Sequence, residues 1–257
     1  MEKVIAEFDS SSIAALETQL DSLISKYNAR SREATEPAPE WILPPLSCQF
    51  LEDVGKLLPT ESSAFEFGSG RSTHALRRAF AAVFSLEHSV DWLKATDTPT
   101  GTANDARQLD WLNQSSATTA FVAKRMSDAT SVVPLTHCWN RLRLIESFAL
   151  ANHPEVLARL KEARLILVDS PPNPAKREHA LFLALHYASV GAVIVLDDLE
   201  IRATARFAHR LAKQNSKRFR FWHLDIDHQL GVFLKVRSGR VRSRPSMIEF
   251  VGTWLRA

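Results

Sequence analysis

Cysteine, glycine and net charge are all scarce in this chain of 257 residues. The 2 cysteines, Cys48 and Cys138, are too few and too far apart for a disulfide scaffold or a zinc ribbon. Lys and Arg total 32 against 29 Asp and Glu, a formal charge of +3. A surplus that small does not call for a nucleic-acid partner. The chain opens on Glu2, Lys3, Glu7 and Asp9 rather than on an apolar leader. Its longest uncharged stretch, 180–196, is broken by His186 and Gly191. That stretch reads as a helix feeding a buried strand, not as a membrane span. With 45% hydrophobic and 24% charged residues, wholesale disorder is excluded. The expectation is a cytoplasmic protein of enzyme size with no membrane partner.

Residues 10–30 carry Ile13, Leu16, Leu20, Leu23 and Tyr27 at helical spacing. This seam predicts a helix packed on its own domain, with a homo-oligomer through the same face as the other use. Pro37, Pro39, Pro44 and Pro45 forbid its continuation. We therefore divide the chain into an N-terminal helix with a Pro-rich linker, 1–38, and a main domain, 39–257. In the main domain, apolar strands over 64–67, 82–86, 131–135, 164–168 and 192–196 alternate with helices over 72–80, 154–163, 176–188 and 201–214. Segment 101–126 reads as polar and partly helical. Continuous apolar strands between amphipathic helices imply a parallel sheet covered on both faces. The last two strands, 219–224 and 231–236, are too close in sequence for a parallel crossover, so they must pair antiparallel.

Two of the 8 glycines stand together in Glu66-Phe67-Gly68-Ser69-Gly70-Arg71-Ser72-Thr73. A strand turning into a helix through Gly-x-Gly lets a ligand approach the backbone and aims helix N–H groups at it. A dinucleotide fingerprint places a third glycine where Thr73 stands. Glu66 also suits a cationic amino-acid end better than a pyrophosphate. The second strand ends on Glu87, followed by His88, and an acidic residue there can accept both hydroxyls of a ribose. Each motif has a plainer reading, a tight turn for the first and a helix cap for the second.

Together with Phe84-Ser-Leu-Glu-His-Ser-Val-Asp-Trp92, the glycine turn resembles the first two motifs of class I S-adenosylmethionine-dependent methyltransferases. Leu167-Val-Asp-Ser-Pro-Pro172 is similar to the Val-Asp-Gly-Pro-Pro of a bacterial branch, with serine in place of glycine. The resemblance runs from about Pro39 to Val236. It implies a Rossmann-like sheet of seven strands, mostly parallel, with its last strand antiparallel and helices on both faces. By the same resemblance Glu66, Gly68, Ser69, Gly70, Ser72 and Thr73 take the methionine end of S-adenosylmethionine. Glu87 and His88 take the ribose, and 137–140 lies near the adenine.

Strand four ends on Asp169, and strand five on Asp197 and Asp198. Ligands of open α/β sheets bind beyond the carboxyl ends of strands. Three carboxylates converging there need protons or a cation to neutralise them. A hard divalent ion, Mg²⁺, would satisfy oxygen ligands from Asp169, Asp197 and Asp198. This trio is similar to that of small-molecule O-methyltransferases of the catechol type; helix capping is the alternative reading. Where those enzymes carry a lysine, this chain has Pro172, so Lys176 and His179 stand with Asp169 as candidates to handle the acceptor's proton. The expected substrate is a hydroxylated small molecule or sugar. The rival readings are a cofactor-binding module without catalysis and a nicotinamide oxidoreductase.

Two further patterns read as surface. His223, Asp225, Asp227 and His228 fall in a polar hairpin loop with no zinc spacing. Arg202, Arg206, Arg210, Lys213 and Lys217, and then Arg237, Arg240, Arg242 and Arg244, form two basic runs. Phosphate binding is the alternative to a solvated face for both.

Overall fold

The computed structural model describes residues 9–30, 45–87, 118–122, 135–140, 143–148, 154–170 and 174–242. Helices α1 (Ser10–Arg30), α2 (Pro45–Leu57) and α3 (Arg71–Ala79) belong to the first part of the chain, with α4 (Pro154–Glu162), α5 (Pro174–Tyr187) and α6 (Arg202–Gln214) following later. The strands are β1 (Ser63–Phe67), β2 (Ala82–Glu87), β3 (Thr118–Val122), β4 (Leu135–Asn140), β5 (Arg143–Phe148), β6 (Leu165–Val168), β7 (Val193–Leu196), β8 (Phe219–Asp225) and β9 (Gln229–Lys235). Among these residues no helix is long and apolar enough to cross a membrane.

The main sheet has the order β3-β2-β1-β6-β7-β9-β8. Six of its strands run one way, and β9, wedged between β7 and β8, runs against both. The reversed final strand expected from the short hairpin is therefore present. β1 and β6 are neighbours although a long stretch of sequence separates them. The chain leaves β1 toward one side of the sheet and β6 toward the other, which makes their shared carboxyl end a topological switch point.

The third strand differs from expectation. It is Thr118–Val122, paired parallel with β2, within the stretch read as partly helical. Its composition, two threonines, a phenylalanine and a valine, fits a pleated surface better than a helix. The strand expected over 131–135 falls mostly outside the described residues. From Leu135 the chain instead enters β4, which pairs antiparallel with β5 as a separate ribbon. The segment 137–140, expected as a loop, is thus part of a strand.

Period-two alternation sorts the buried strands between two cores. Phe65, Phe67, Ile166, Val168, Ile194 and Leu196 pack with Leu160, Leu181, Leu185 and Phe207 on the face covered by α4, α5 and α6. Ala64, Leu165, Leu167, Val193, Val195 and Val232 pack with Phe50, Leu51, Leu76 and Leu20 on the face covered by α1, α2 and α3. Burying each such large side chain contributes about 2 kcal/mol.

Helix α1 buries Ile13, Leu16, Leu20, Ile24 and Tyr27, so the seam drifts from the expected Leu23 to Ile24. Polar contacts fix it across the sheet's edge. Glu17 pairs with Arg220 at 2.7 Å, Asp21 accepts from the Trp222 indole, and Asn28 bridges to the main chain of His223 and Asp225. Tyr27 donates to Asp53 at 2.8 Å and meets Phe50 edge-on. The seam is thus buried on the chain's own sheet.

Candidate functional site

Register builds the site. Phe67 lies beside Val168, and Val168 beside Leu196. The residues that follow, Gly68, Asp169 and Asp197, therefore emerge side by side at the carboxyl edge. Main-chain bonds continue the ladder there: Asp169 N–H donates to Phe67 O and Asp197 N–H to Val168 O, both at 3.1 Å.

The glycine turn sits on a buried carboxylate. Alternation along β1 sends Phe65 and Phe67 to one core and Glu66 to the other, beneath α3. Glu66 is completely buried. Ser72 donates to its Oε2 at 3.1 Å, Thr73 donates to Oε1 at 2.6 Å, and the Ser85 hydroxyl also donates to Oε1. Burial pushes the carboxyl up to about 7, against the pull of these three hydroxyls. Thr73 Oγ1 also accepts from the Gly70 N–H at 2.9 Å. Glu66 and Thr73 together pin the first turn of α3 to the strands. Glu66 thus holds the loop from behind instead of presenting its charge at the open edge.

Gly68 has φ +99°, a left-handed conformation that favours glycine. A Cβ added there would stand 2.8 Å from the Ser170 Cβ. The two loops that follow β1 and β6 thus touch with no room for a side chain between them. Ser69 and Ser72 are buried in the same turn. The side chain of Glu87, and His88, lie outside the described residues.

Beside the glycine turn is an ionic cluster that differs from the predicted trio. Asp197 is 3% exposed. His228, carried back by the β8–β9 hairpin, places Nδ1 3.0 Å from Asp197 Oδ1 and Nε2 3.6 Å from Asp198 Oδ1, with Nε2 also paired to Glu200. Burial disfavours the charged ring, but hydrogen bonds and charges from Asp197 and Glu200 outweigh it and raise His228 to about 10. Arg177, near the start of α5, is the second cation. Its guanidinium pairs with Asp198, donates to the Asp169 carbonyl at 2.6 Å and lies 3.6 Å from Asp169 Oδ1. The carboxyl of Asp169 is pushed well above the usual range by its enclosure and by Asp197 facing it, with Arg177 pulling the other way. Asp198 adopts φ 59°, a left-handed conformation that aspartate tolerates better than most residues.

Asp197, Asp198 and His228 form the group that could hold a metal. The group differs from the expected trio of oxygen donors: a histidine joins Asp197 and Asp198. Asp169 is not in that group; its carboxyl faces Arg177. Arg177 and His228 also bring positive charge to the carboxylates.

Of the expected proton-handling residues, Asp169 is at the edge. His179 is not brought to it. Two positions along α5 from Arg177 amount to a rotation of roughly 200°. His179 stacks against Phe182, with its pKa lowered by burial. The side chain of Lys176 lies outside the described residues. The loop residue Asp227, set aside as surface, caps α2 by accepting from Leu46 N–H at 2.7 Å and Ser47 Oγ at 2.8 Å.

Arg177 was missed in the sequence, and His228 was set aside as surface. A parallel β8 delivers the following loop to the edge where β6 and β7 end, so topology alone carries a signal for His228. Arg177 has none beyond its place one turn into the helix after Asp169.

No protein-family model matches the chain, and no curated protein matches it in sequence. Solved structures do resemble it. A protein from Corynebacterium glutamicum superposes with TM-score 0.48 at 14% identity, over 88% of this chain and 98% of its own. An SAH-bound methyltransferase from Podospora anserina gives 0.48 at 12%, over 91% and 100%. A methyltransferase from Geobacter sulfurreducens gives 0.47 at 11%, over 87% and 97%. Likeness at this level carries no argument about activity, which rests on the residues themselves.

Proposed function

We propose that this chain is an S-adenosylmethionine-dependent methyltransferase acting on a hydroxyl of a small molecule or sugar. The observation that carries the reading is the linkage of Glu66, Thr73 and Gly70 beneath the turn at the switch point. A dinucleotide pyrophosphate needs free N–H donors at the start of the helix. Here the Gly70 N–H is already taken by Thr73, and a carboxylate lies directly behind it. The ionic cluster tips the balance the same way. Four carboxyl groups face two cations, so acidic groups outnumber basic ones there, favouring a cationic ligand.

The glycine turn at the switch point, bare of a side chain at Gly68, supports a cofactor at this edge. The main chain of Gly68, Ser69 and Gly70 would border its amino-acid end, and Glu87 would take the ribose. When bound, S-adenosylmethionine supplies an electrophilic methyl group. Asp169 is the proposed proton acceptor for the substrate hydroxyl, since a carboxyl raised above its usual range by enclosure and by Asp197 is a stronger base than an ordinary one. Arg177 and His228 hold that carboxyl and its neighbours in place. This reading retains O-methylation without Mg²⁺.

Titration calorimetry with S-adenosylhomocysteine, S-adenosylmethionine and NADH tests it. Uptake of the first two and not of NADH is expected. Folded protein that takes up neither sulfur ligand refutes the proposal. Methyl transfer to hydroxylated metabolites, with and without EDTA, then tests the acceptor class and the independence from metal.

A further inference from the structure

At the opposite edge of the sheet, the turn between α6 and β8 and the segment after β9 enclose a cavity of about 380 Å³. β8 begins beside it and ends near the ionic cluster, which puts the two places roughly 20 Å apart along the strand. Lys217, Arg218, Arg237 and Arg242 line the cavity, together with Ser216 and Ser238, and no acidic residue does. Among the described residues no carboxylate pairs with these four cations. By contrast, Arg210 of the first basic run is paired with Glu178, and Arg220 on β8 with Glu17.

The walls are built, not incidental. Asn215 is buried and clasps both sides. Its amide donates to Leu211 O at 2.8 Å and Arg242 O at 2.9 Å, while its Oδ1 accepts from Arg242 N–H at 2.8 Å. Gly239, at φ +125°, crosses directly over Arg218, and a Cβ there would lie 2.7 Å from its Nε. That Nε is buried without a hydrogen-bond partner.

We propose that this cavity is a binding site for a small phosphorylated ligand, separate from the cofactor edge. Convergent guanidinium groups bind phosphate oxygens through paired charge-assisted hydrogen bonds. Several cations around one concavity exceed what a single carboxylate would balance, whereas a phosphate ester or diphosphate matches them, and Ser216 and Ser238 add hydroxyl donors. Lys217, Arg218, Arg237 and Arg242 converge on one pocket, and Arg210 on the preceding helix is tied up with Glu178. That favours a small ligand over a polymer.

Pyrophosphate titrated calorimetrically into the full chain at low salt is the test. One saturable site is expected, weakening as salt is raised. R237Q and R242Q each remove an exposed cation and should weaken binding roughly ten-fold, with the melting temperature unchanged. No saturable uptake by the folded wild type overturns the proposal. So does wild-type affinity in both variants. A single-stranded oligonucleotide that binds more tightly than pyrophosphate overturns the small-ligand assignment. S-adenosylhomocysteine uptake serves as an independent control, because the two sites share no residue.

Discussion

His228 Nδ1 lies 3.0 Å from Asp197 Oδ1, and with Arg177 it occupies the place where a divalent cation was expected. The wild type should therefore show no change in melting temperature with either EDTA or Mg²⁺. H228Q removes the cation and leaves buried carboxylates facing one another, at a cost of about 3 kcal/mol. That variant, unlike the wild type, should regain stability in Mg²⁺ or Mn²⁺. Thermal melts in the four combinations check this; a wild type strongly stabilised by Mg²⁺ overturns it.

Glu66 gives stability a pH dependence of definite sign. Its carboxyl is raised from 4.5 to about 7 by burial, so the folded chain binds a proton that the unfolded chain releases. The contribution is fully present below about 4.5 and is lost as pH rises through 7. It is on the order of 3 kcal/mol. E66Q keeps shape and hydrogen-bonding capacity while removing the titration. Denaturant melts from pH 4.5 to 8 should slope downward more steeply in the wild type than in E66Q, and identical slopes refute the assignment.

Gly68 and Ser170 test the cradle. Gly68→Ala meets both the left-handed backbone and the Ser170 Cβ, and should cost about 2 kcal/mol. It should also abolish S-adenosylhomocysteine uptake. Combining it with Ser170→Gly relieves the contact but not the backbone strain, so partial recovery of stability is expected by calorimetry. Full recovery would mean that backbone strain at Gly68 adds nothing.

Tyr27 separates packing from hydrogen bonding at α1. Tyr27→Phe loses only the bond to Asp53 and should cost about 1 kcal/mol. Tyr27→Ala also empties a fully buried site beside Phe50 and should cost about 4 kcal/mol. Urea denaturation of the two variants measures the difference.

Most of the helices, β1, β6, β7 and the reversed last strand were legible because their apolar periods are strong and their boundaries carry Pro or Gly. β3 was not, since Thr118–Val122 becomes a strand through its pairing with β2, and pairing leaves no local mark. The glycine turn and the strand-end aspartates were legible as positions. The partners of those aspartates were not: Arg177 approaches from the helix after Asp169 and His228 from a hairpin further along the chain, and only the assembled sheet brings them together. The role of Glu66 was read from its charge alone. Its burial follows from which face of β1 it occupies once α3 is laid over it.

The joining of α1 to β8 has a consequence for synthesis. The helix leaves the ribosome well before the strand holding Arg220 and Trp222, which is made some two hundred residues later. Until then Leu16, Leu20 and Ile24 have no finished surface to cover. Chains stalled or truncated before β8 should therefore expose a greasy helix to chaperones and to one another, and completion of the fold should await release of the C-terminal third.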